Sequence, residues 1–401
     1  MFVSSSLGND STGNGSPATP FKTIHAGLTA AAAASKRLYV CAEAYAEADT
    51  LVSNVSIFGY FTCAGGTWAV GSGHATVTAP TSPAVTAASV SNVRIESVEW
   101  DAPSAAANSS GSSYGMFVTN STLSLVSVNL VAGSAGSGVA GGTGTPPVVA
   151  VSCPASDGLA SSAAGNNGAA GPAASYSASG YTPSAGTNGT SGPNGDDGTA
   201  GGAGPCWIQK LNCQPKGVGS ACSFGDGAKF CGSAGTPGCG GPGGAAGLGG
   251  TGGGVSIALF AWGASNISVT GGELRSQNGG AGGAGATAPP APSSWTNSQG
   301  AVGAVSAPYT PTYCDINCAQ VTGTPGTTAP GGTAGGAGGR GGPGGSGAGG
   351  SGGDTYSYYR GGGATLNVGG TVTLVQGQLG SAGGGPVPGK PGYSGAFNTL
   401  D

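Results

Sequence analysis

The sequence predicts an all-β solenoid, a parallel β-helix, on the basis of three observations. Short apolar stretches alternate with period two, which is the pattern of strands that bury one face. One eight-residue pattern recurs four times without gaps. Glycine-rich chain that carries no such alternation follows three of these copies. Stacking of equivalent strands explains all three observations, because a single repeat cannot bury its own apolar face.

The repeat has apolar residues at its first, third and eighth positions. Its copies are VRIESVEW (93–100), LSLVSVNL (123–130), ISVTGGEL (267–274) and VTLVQGQL (372–379). Each copy follows another short apolar stretch, at Ala84–Val90, Met116–Val118, Val255–Phe260 and Ala364–Val368, and a weaker copy lies at Val55–Thr62. The alternative is a β-sandwich of unrelated strands, which four copies in register disfavour.

The repeats and the glycine tracts divide the chain into five predicted parts. These are N-terminal repeats with a capping helix (1–132), a glycine-rich insertion (133–254), one repeat (255–278), a second insertion (279–362), and a last repeat with a tail (363–401). Because the tract follows the last position of a copy, the insertions should leave from the same corner. The alanine run favours a helix over 21–35, with Phe21, Ile24 and Leu28 as its buried stripe.

The two insertions have two interpretations. Glycine is 87 of 401 residues, and residues 240–254 divide into the triplets GGP, GGA, AGL, GGT and GGG. Two glycines per triplet would let extended helices with three residues per turn, of the polyproline-II or polyglycine-II type, pack on several neighbours. The alternative is a flexible linker, as glycine-rich chain often is. Cysteines within both insertions favour the ordered form, because a flexible tract has no need of disulfide cross-links.

Ten cysteines without a CxxC motif predict disulfides and an oxidising compartment. Cys41 and Cys63 lie on successive predicted strands, 22 residues apart, so we expect them to pair. The others lie in the first insertion (Cys153, Cys206, Cys213, Cys222, Cys231 and Cys239) and in the second (Cys314 and Cys318). No signal peptide is visible, and no apolar run approaches the roughly 20 residues of a membrane span. We therefore expect a secreted protein whose export signal has been removed.

A resemblance to a known family rests on the N-terminal 65 residues. The turn before PFKTI (20–24), the strand LYVCAEAY (38–45) and the strand IFGYFTC (57–63) carry it. They resemble the entry to a pectate-lyase-like, right-handed parallel β-helix domain of unknown function. The chain is also similar in style to glycine-rich, PGRS-like predicted surface proteins of myxobacteria. The resemblance implies a right-handed solenoid, a capping helix and a surface location, and it implies no activity.

The composition excludes several functions. Only 6% of residues are charged and the net charge is −4, so a nucleic-acid-binding footprint is absent. The sequence has no phosphate loop, no GxSxG and no HExxH, and neither His25 nor His74 has metal-ligand companions, so we expect no cofactor and no metal. An enzyme related to β-helix lyases would use Glu99, Glu273 and Arg94.

Those glutamates should lie in one outward column with Asn129 between them. They would be two repeats, roughly 10 Å, apart, and we expect no third acid beside them. A solvated surface column is therefore favoured over an active site. The leading hypothesis is a non-catalytic, extracellular structural or adhesive protein that self-associates into fibres or sheets, and the first alternative is the carbohydrate-active enzyme.

A third hypothesis is a recognition module that binds surface glycans or proteins. Its candidate binding tips are Tyr309 and Tyr313 in PYTPTYC, and Tyr356, Tyr358 and Tyr359 in TYSYYR. Aromatic tips suit such contacts because they combine apolar area with a polar end. Alternatively, these side chains fold back over the insertions.

Overall fold

The computed structural model describes residues 1–147, 161, 163–210, 214–215, 222–223, 226–291, 300–308, 312–314, 320–322 and 328–400. Within these ranges the chain is almost all β, with one α-helix (Ile24–Ala34) and one 3-10 turn (Ala64–Gly66). Two sheets of mainly parallel strands form the body of the described chain, and four two-stranded antiparallel sheets accompany them. No helix in this part of the chain is long and apolar enough to cross a membrane.

The larger sheet has twelve strands and the smaller has six. The large sheet comprises Phe2–Val3, Leu38–Cys41, Ala44–Tyr45, Ile57–Thr62, Ala69–Val70, Ala75–Thr78, Val93–Glu96, Val98–Asp101, Thr122–Val131, Asn266–Arg275, Thr365–Val368 and Thr373–Val375. The small sheet comprises Asp49–Thr50, Val85–Ala88, Ser113–Thr119, Ser256–Trp262, Thr355–Gly361 and Ser394–Leu400. These small sheets pair Ser175–Ser177 with Gly180–Thr182, Cys206–Lys210 with Asp226–Cys231, Gln214–Pro215 with Cys222–Ser223, and Thr312–Cys314 with Gln320–Thr322.

Each full repeat contributes one strand segment to the small sheet and two to the large sheet, and equivalent segments pair in parallel. In the large sheet Leu123 pairs with Val93 on one side and with Ile267 on the other. Further along, Leu130 pairs with Trp100 and with Leu274. The predicted register of 93–100, 123–130 and 267–274 is therefore confirmed.

The predicted register of the fourth copy is wrong. Leu274 pairs with Leu374 instead of Leu379, while Ile267 pairs with Leu366. One extra residue lies in the bend between these two segments of the last repeat, so an ungapped comparison slips. The strand that precedes them is Thr355–Gly361, which pairs with Ser256–Trp262, and not Ala364–Val368. The second insertion consequently ends near residue 354 rather than 362.

Residues with positive φ separate the segments of each repeat. One bend is formed by Ser89, Asn120, Gly263 and Gly362, with φ of 55°, 49°, 69° and 62°. The other is formed by Ser97, Ser127 and Gly271, with φ of 52°, 49° and 69°. Small polar residues and glycine tolerate this left-handed conformation best. These recurring bends direct the apolar faces of the segments toward a common core.

The core is largely apolar, and it contains the buried carboxyl group of Asp49. Trp100, Leu125 and Leu130 are fully buried, and the indole Nε1 of Trp100 donates to Asp49 Oδ2 at 2.9 Å. Burial, followed by the charge of Glu47, raises the pKa of Asp49 to about 7. The Glu47 carboxylate itself accepts the first helical N–H groups, from Ile24 at 2.8 Å and His25 at 3.0 Å.

Backbone hydrogen bonds within the insertions recur every three residues. Between 186–201 and 235–250 the donors run forward while the acceptors run backward: Gly186 to Gly250, Gly189 to Gly247, Gly192 to Gly244, Gly195 to Gly241, Gly198 to Gly238 and Gly201 to Gly235. Between 238–253 and 336–351 both run forward: Gly238 to Gly336, Gly241 to Gly339, Gly244 to Gly342, Gly247 to Gly345, Gly250 to Ala348 and Gly253 to Ser351. The described parts of the insertions are thus joined side by side through their main chains.

This network continues the ladder of the large sheet. Where the strands Thr122–Val131 and Asn266–Arg275 end, Ala132 N–H donates to the Arg275 carbonyl at 2.9 Å. The next bonds follow at three-residue steps, from Ala135 to Asn278, from Gly138 to Ala281 and from Gly141 to Ala284. Both insertions therefore leave the large sheet at the same place, as predicted, and the two-residue spacing of a strand changes there to three.

Close main-chain approach explains the glycines in this network. A Cβ atom on Gly247 would lie 2.1 Å from the carbonyl oxygen of Ala286 and 2.7 Å from the nitrogen of Gly347. Gly142, in the same insertion, has open space at that position. The sequence therefore requires glycine where one segment faces another and not where it faces solvent.

We expect Gly247→Ala to lower the free energy of unfolding by about 1–3 kcal/mol, because the methyl group must displace packed backbone. Gly142→Ala is the matched control. It should raise the free energy of unfolding by about 0.4–1 kcal/mol, because alanine reduces the conformational entropy of the unfolded chain. Urea unfolding of both variants measures these changes. Equal effects at the two positions would contradict the packed arrangement.

The buried Asp49 carboxyl predicts a pH effect. In the folded protein the Asp49 carboxyl keeps its proton up to about pH 7, whereas in the unfolded chain it loses that proton near pH 4. The contribution of Asp49 to stability therefore falls as pH rises through that interval. We expect Asp49→Asn to remove this loss and to raise the free energy of unfolding by about 2–4 kcal/mol at pH 8, with a smaller effect at pH 5. Denaturant unfolding at both pH values tests this, and an unchanged pH dependence in the variant would refute it.

Candidate functional site

The predicted acidic column exists on the outer face of the large sheet. Asn129 pairs in register with Glu99 on one side and with Glu273 on the other. Its Nδ2 donates to Glu99 Oε2 at 2.8 Å, and its Oδ1 accepts the Glu273 N–H at 3.0 Å. Asn129 thus bridges the two glutamates.

Two further charged residues belong to this column. Arg275 forms an ion pair with Glu273, and Asp101 follows Glu99 at the next outward position of its strand. Burial, followed by the charge of Glu99, raises the pKa of Asp101, while Arg275 opposes that rise. The expectation that no third acid lies beside the glutamates is therefore wrong. The signal was present in the sequence, since residues 99 and 101 share a face of one strand.

Arg94 lies apart from this column. It pairs in register with Ser124, on the far side of the Ser97 and Ser127 bends, and forms an ion pair with Glu96. The fold therefore does not bring Arg94 to Glu99 and Glu273, the two other residues that a lyase mechanism would use. In the column itself the available cation is Arg275, which Glu273 already engages, so the arrangement suits hydrogen bonding and charge neutralisation better than proton transfer.

The histidines do not add metal ligands to this face. His74 Nε2 lies 3.1 Å from the Ser127 carbonyl, and His25 is on the first turn of the helix. Across the described ranges, no three His, Cys, Asp or Glu residues are grouped so as to hold a metal ion.

A shallow groove of about 440 Å³ lies over Arg94 on the same sheet. Its walls are two outward rows of polar side chains from successive repeats, including Asn92, Thr122 and Asn266 in one row and Ser124 and Ser268 in the other. Such rows offer donors and acceptors at the spacing of the strands. They provide a polar surface without a group activated for catalysis.

Four cysteines form disulfides whose two partners are described. Cys41 pairs with Cys63, with their Cα atoms 5.9 Å apart, as the sequence predicts. Cys206 pairs with Cys231 and closes the base of the hairpin in the first insertion. Cys239 is also in a disulfide. Cys153, Cys213 and Cys318 lie outside the described residues, and only the strand backbone is described at Cys222 and Cys314.

The tyrosines predicted as binding tips lie elsewhere than expected. Tyr356, Tyr358 and Tyr359 are on the strand Thr355–Gly361, where Tyr356 and Tyr359 are buried. They are therefore not an exposed tip, because the second insertion ends near residue 354, before this strand begins. Tyr309 lies outside the described residues, and for Tyr313 only the backbone of a short strand is described.

A hairpin of the first insertion packs on Tyr356 and Tyr359. Its Tyr176 ring stacks on Tyr359 with 4.0 Å between centroids, and its hydroxyl donates to Asp354 Oδ2 at 2.6 Å. The other oxygen of Asp354 accepts the Tyr393 N–H at 2.8 Å, and burial raises the pKa of Asp354. The insertion thus folds back over the outer face of the small sheet.

Beside this hairpin lies an open cavity of about 540 Å³. Tyr114, Phe117 and Tyr181 supply its aromatic surface, and serine and threonine hydroxyls, among them those of Ser82 and Thr86, supply its polar surface. No local sequence pattern marks this site, since it is formed by a repeat and an insertion hairpin more than 60 residues later.

Comparison with known proteins adds no relative. No protein-family model matches the chain, and neither the curated proteins nor the solved structures include a significant match.

Proposed function

We propose that this chain is a non-catalytic structural or adhesive protein of the cell exterior. Its body would be a right-handed parallel β-helix, and its insertions would be bundles of polyglycine-II-like helices. The observation that carries this proposal is the three-residue hydrogen-bond network, which makes rigid lateral contacts from backbone alone and needs no reactive side chain.

The β-helix is supported by the repeat geometry. Three segments per repeat, left-handed bends between them and parallel pairing between repeats are what a solenoid requires. The helix Ile24–Ala34 supports a capped N-terminal end, because Gly27 faces the side chains of Val3 and Leu38 in the first two strands of the large sheet.

The polyglycine-II form is supported by the period of the network. A polyproline-II-type helix has three residues per turn and no internal hydrogen bonds, so every third N–H points to the same neighbour. The bonds from Gly186, Gly189 and Gly192 to one partner segment follow that rule. A β-ladder between two strands would repeat every two residues instead.

The location outside the cell rests on the disulfides and on the sequence. Disulfides persist in oxidising compartments, and the resemblance of the first 65 residues to β-helix domains of predicted surface proteins agrees with them. Self-association would use the sheet ends, where strands such as Ser394–Leu400 border the small sheet. Backbone groups at such edges are a template for pairing with another chain.

Limited proteolysis tests the rigid insertion. We expect the oxidised protein to resist cleavage within 184–204 and 232–254, the segments joined by the three-residue network, and the reduced protein to be cut there. The Cys206→Ser/Cys231→Ser variant should become susceptible to cleavage without reductant. By restraining the unfolded chain, that disulfide stabilises the folded insertion by about 3 kcal/mol. Cys41→Ser/Cys63→Ser is the matched control, since it removes a disulfide from the repeats and leaves the insertion closed.

Rapid cleavage of 184–204 or 232–254 in the oxidised wild type would instead identify the insertion as a linker.

One assay distinguishes the enzyme alternative from the structural proposal. Turnover of a pectin- or alginate-like polymer that is lost in Glu273→Gln would replace the structural proposal, because the Glu99–Asn129–Glu273 column would then be catalytic.

A further inference from the structure

Three aromatic rings stack along one outward column of the small sheet. Phe117 and Phe260 have centroids 4.6 Å apart at an interplanar angle of 19°, and Phe260 and Tyr359 have centroids 5.5 Å apart at 5°. These residues are register partners on successive strands. The column therefore repeats one aromatic contact from strand to strand.

The stack stops at Phe117 because the next residue in the column is Thr86. A threonine side chain is too small to cover the face of a phenyl ring. The 540 Å³ cavity adjoins this position and is lined by both residues. One apolar ring face thus borders an open space large enough for a small molecule.

The walls of the cavity are held in place by contacts that need no ligand. Tyr181 N–H donates to the Tyr114 hydroxyl at 2.9 Å, and the Tyr114 and Phe117 rings meet edge to face at 5.3 Å. Gly180 has φ of +100°, and a Cβ atom there would lie 2.8 Å from the Tyr114 hydroxyl. The hairpin therefore fits against the sheet only with glycine at this position, and the site is preformed.

The polar part of the lining consists of hydroxyl groups. Ser82 Oγ accepts the Tyr114 N–H at 2.8 Å, which leaves its own hydrogen to donate into the cavity. The Thr86 hydroxyl has no hydrogen-bond partner within the described part of the chain. No lining residue carries a charge. The cavity therefore offers an aromatic face and neutral donors and acceptors.

We propose that this cavity binds a neutral saccharide, with one pyranose ring stacked on the uncovered face of Phe117. A pyranose has a face of C–H groups that matches the negative face of an aromatic ring, and a rim of hydroxyls that matches serine and threonine. A charged sugar would bring an ionic group into a lining that has no counter-charge. The inference rests on the adhesive part of the proposed function and gives that function a site.

Thr86→Phe is the decisive variant. A phenyl ring at this position continues the existing stack and fills the cavity, so it should block the ligand without disturbing the core. Thr76→Phe is the matched control, because Thr76 is an equally half-exposed strand threonine on the large sheet. Phe117→Leu tests the ring itself while keeping an apolar side chain.

The probes are oligomers of glucose, galactose, mannose and N-acetylglucosamine, with oligogalacturonate as the charged counterpart, measured by titration calorimetry on the full-length protein. We expect at least one neutral oligomer to bind the wild type and the Thr76→Phe variant equally. Binding should weaken by more than about tenfold in Thr86→Phe and by about fivefold in Phe117→Leu. Unchanged thermal unfolding of Thr86→Phe shows that the fold is intact.

Three results would overturn the proposal: no neutral oligomer binds the wild type, binding survives Thr86→Phe, or oligogalacturonate binds best at this site. Binding of a phenylalanine-containing peptide without any saccharide binding would also overturn it and would assign the cavity to an aromatic side chain of a protein partner. In each case the proteolytic resistance of 184–204 and 232–254 reports separately on the scaffold, so failure of the site and failure of the proposed function are distinguishable.

Discussion

Main-chain hydrogen bonding between successive passes of the chain is the interaction on which the structure depends. In the sheets these bonds follow the two-residue period of a strand, and beyond the Val131–Arg275 pair they follow a three-residue period. The insertions are therefore continuations of the same lateral contact in another backbone conformation. Because buried N–H and C=O groups are costly when unpaired, this continuity also explains how long glycine-rich tracts can be packed.

The composition follows from that interaction. Backbone segments approach so closely that a Cβ atom at positions such as Gly247 would overlap a carbonyl group, which excludes other residues there. Ordering glycine costs more conformational entropy than ordering any other residue. Disulfides such as Cys206–Cys231 offset part of this cost by restraining the unfolded chain. Charged side chains are not needed, since the polar interactions are made by the main chain.

The sequence predicts what is periodic and misses what is assembled from distant parts. Three copies of the repeat were placed in the correct register, and with them the Glu99–Asn129–Glu273 column, because alternation fixes which side chains share a face. The fourth copy slipped since its bend is one residue longer, and TYSYYR was assigned to a tip although it is a buried strand. Nothing local marks the Phe117 cavity, because its wall is a hairpin whose docking depends on tertiary contacts of Tyr176 and Tyr181.

Hydrogen exchange of individual amides tests the central claim most directly. In the segment 193–204, Gly195, Gly198 and Gly201 donate to a neighbouring segment, whereas the N–H groups of Asp197 and Ala200 have no partner among the described residues. We expect slow exchange at the three glycines and fast exchange at Asp197 and Ala200, which gives protection with a period of three. Uniformly fast exchange along this segment, or protection at every second residue, would contradict it.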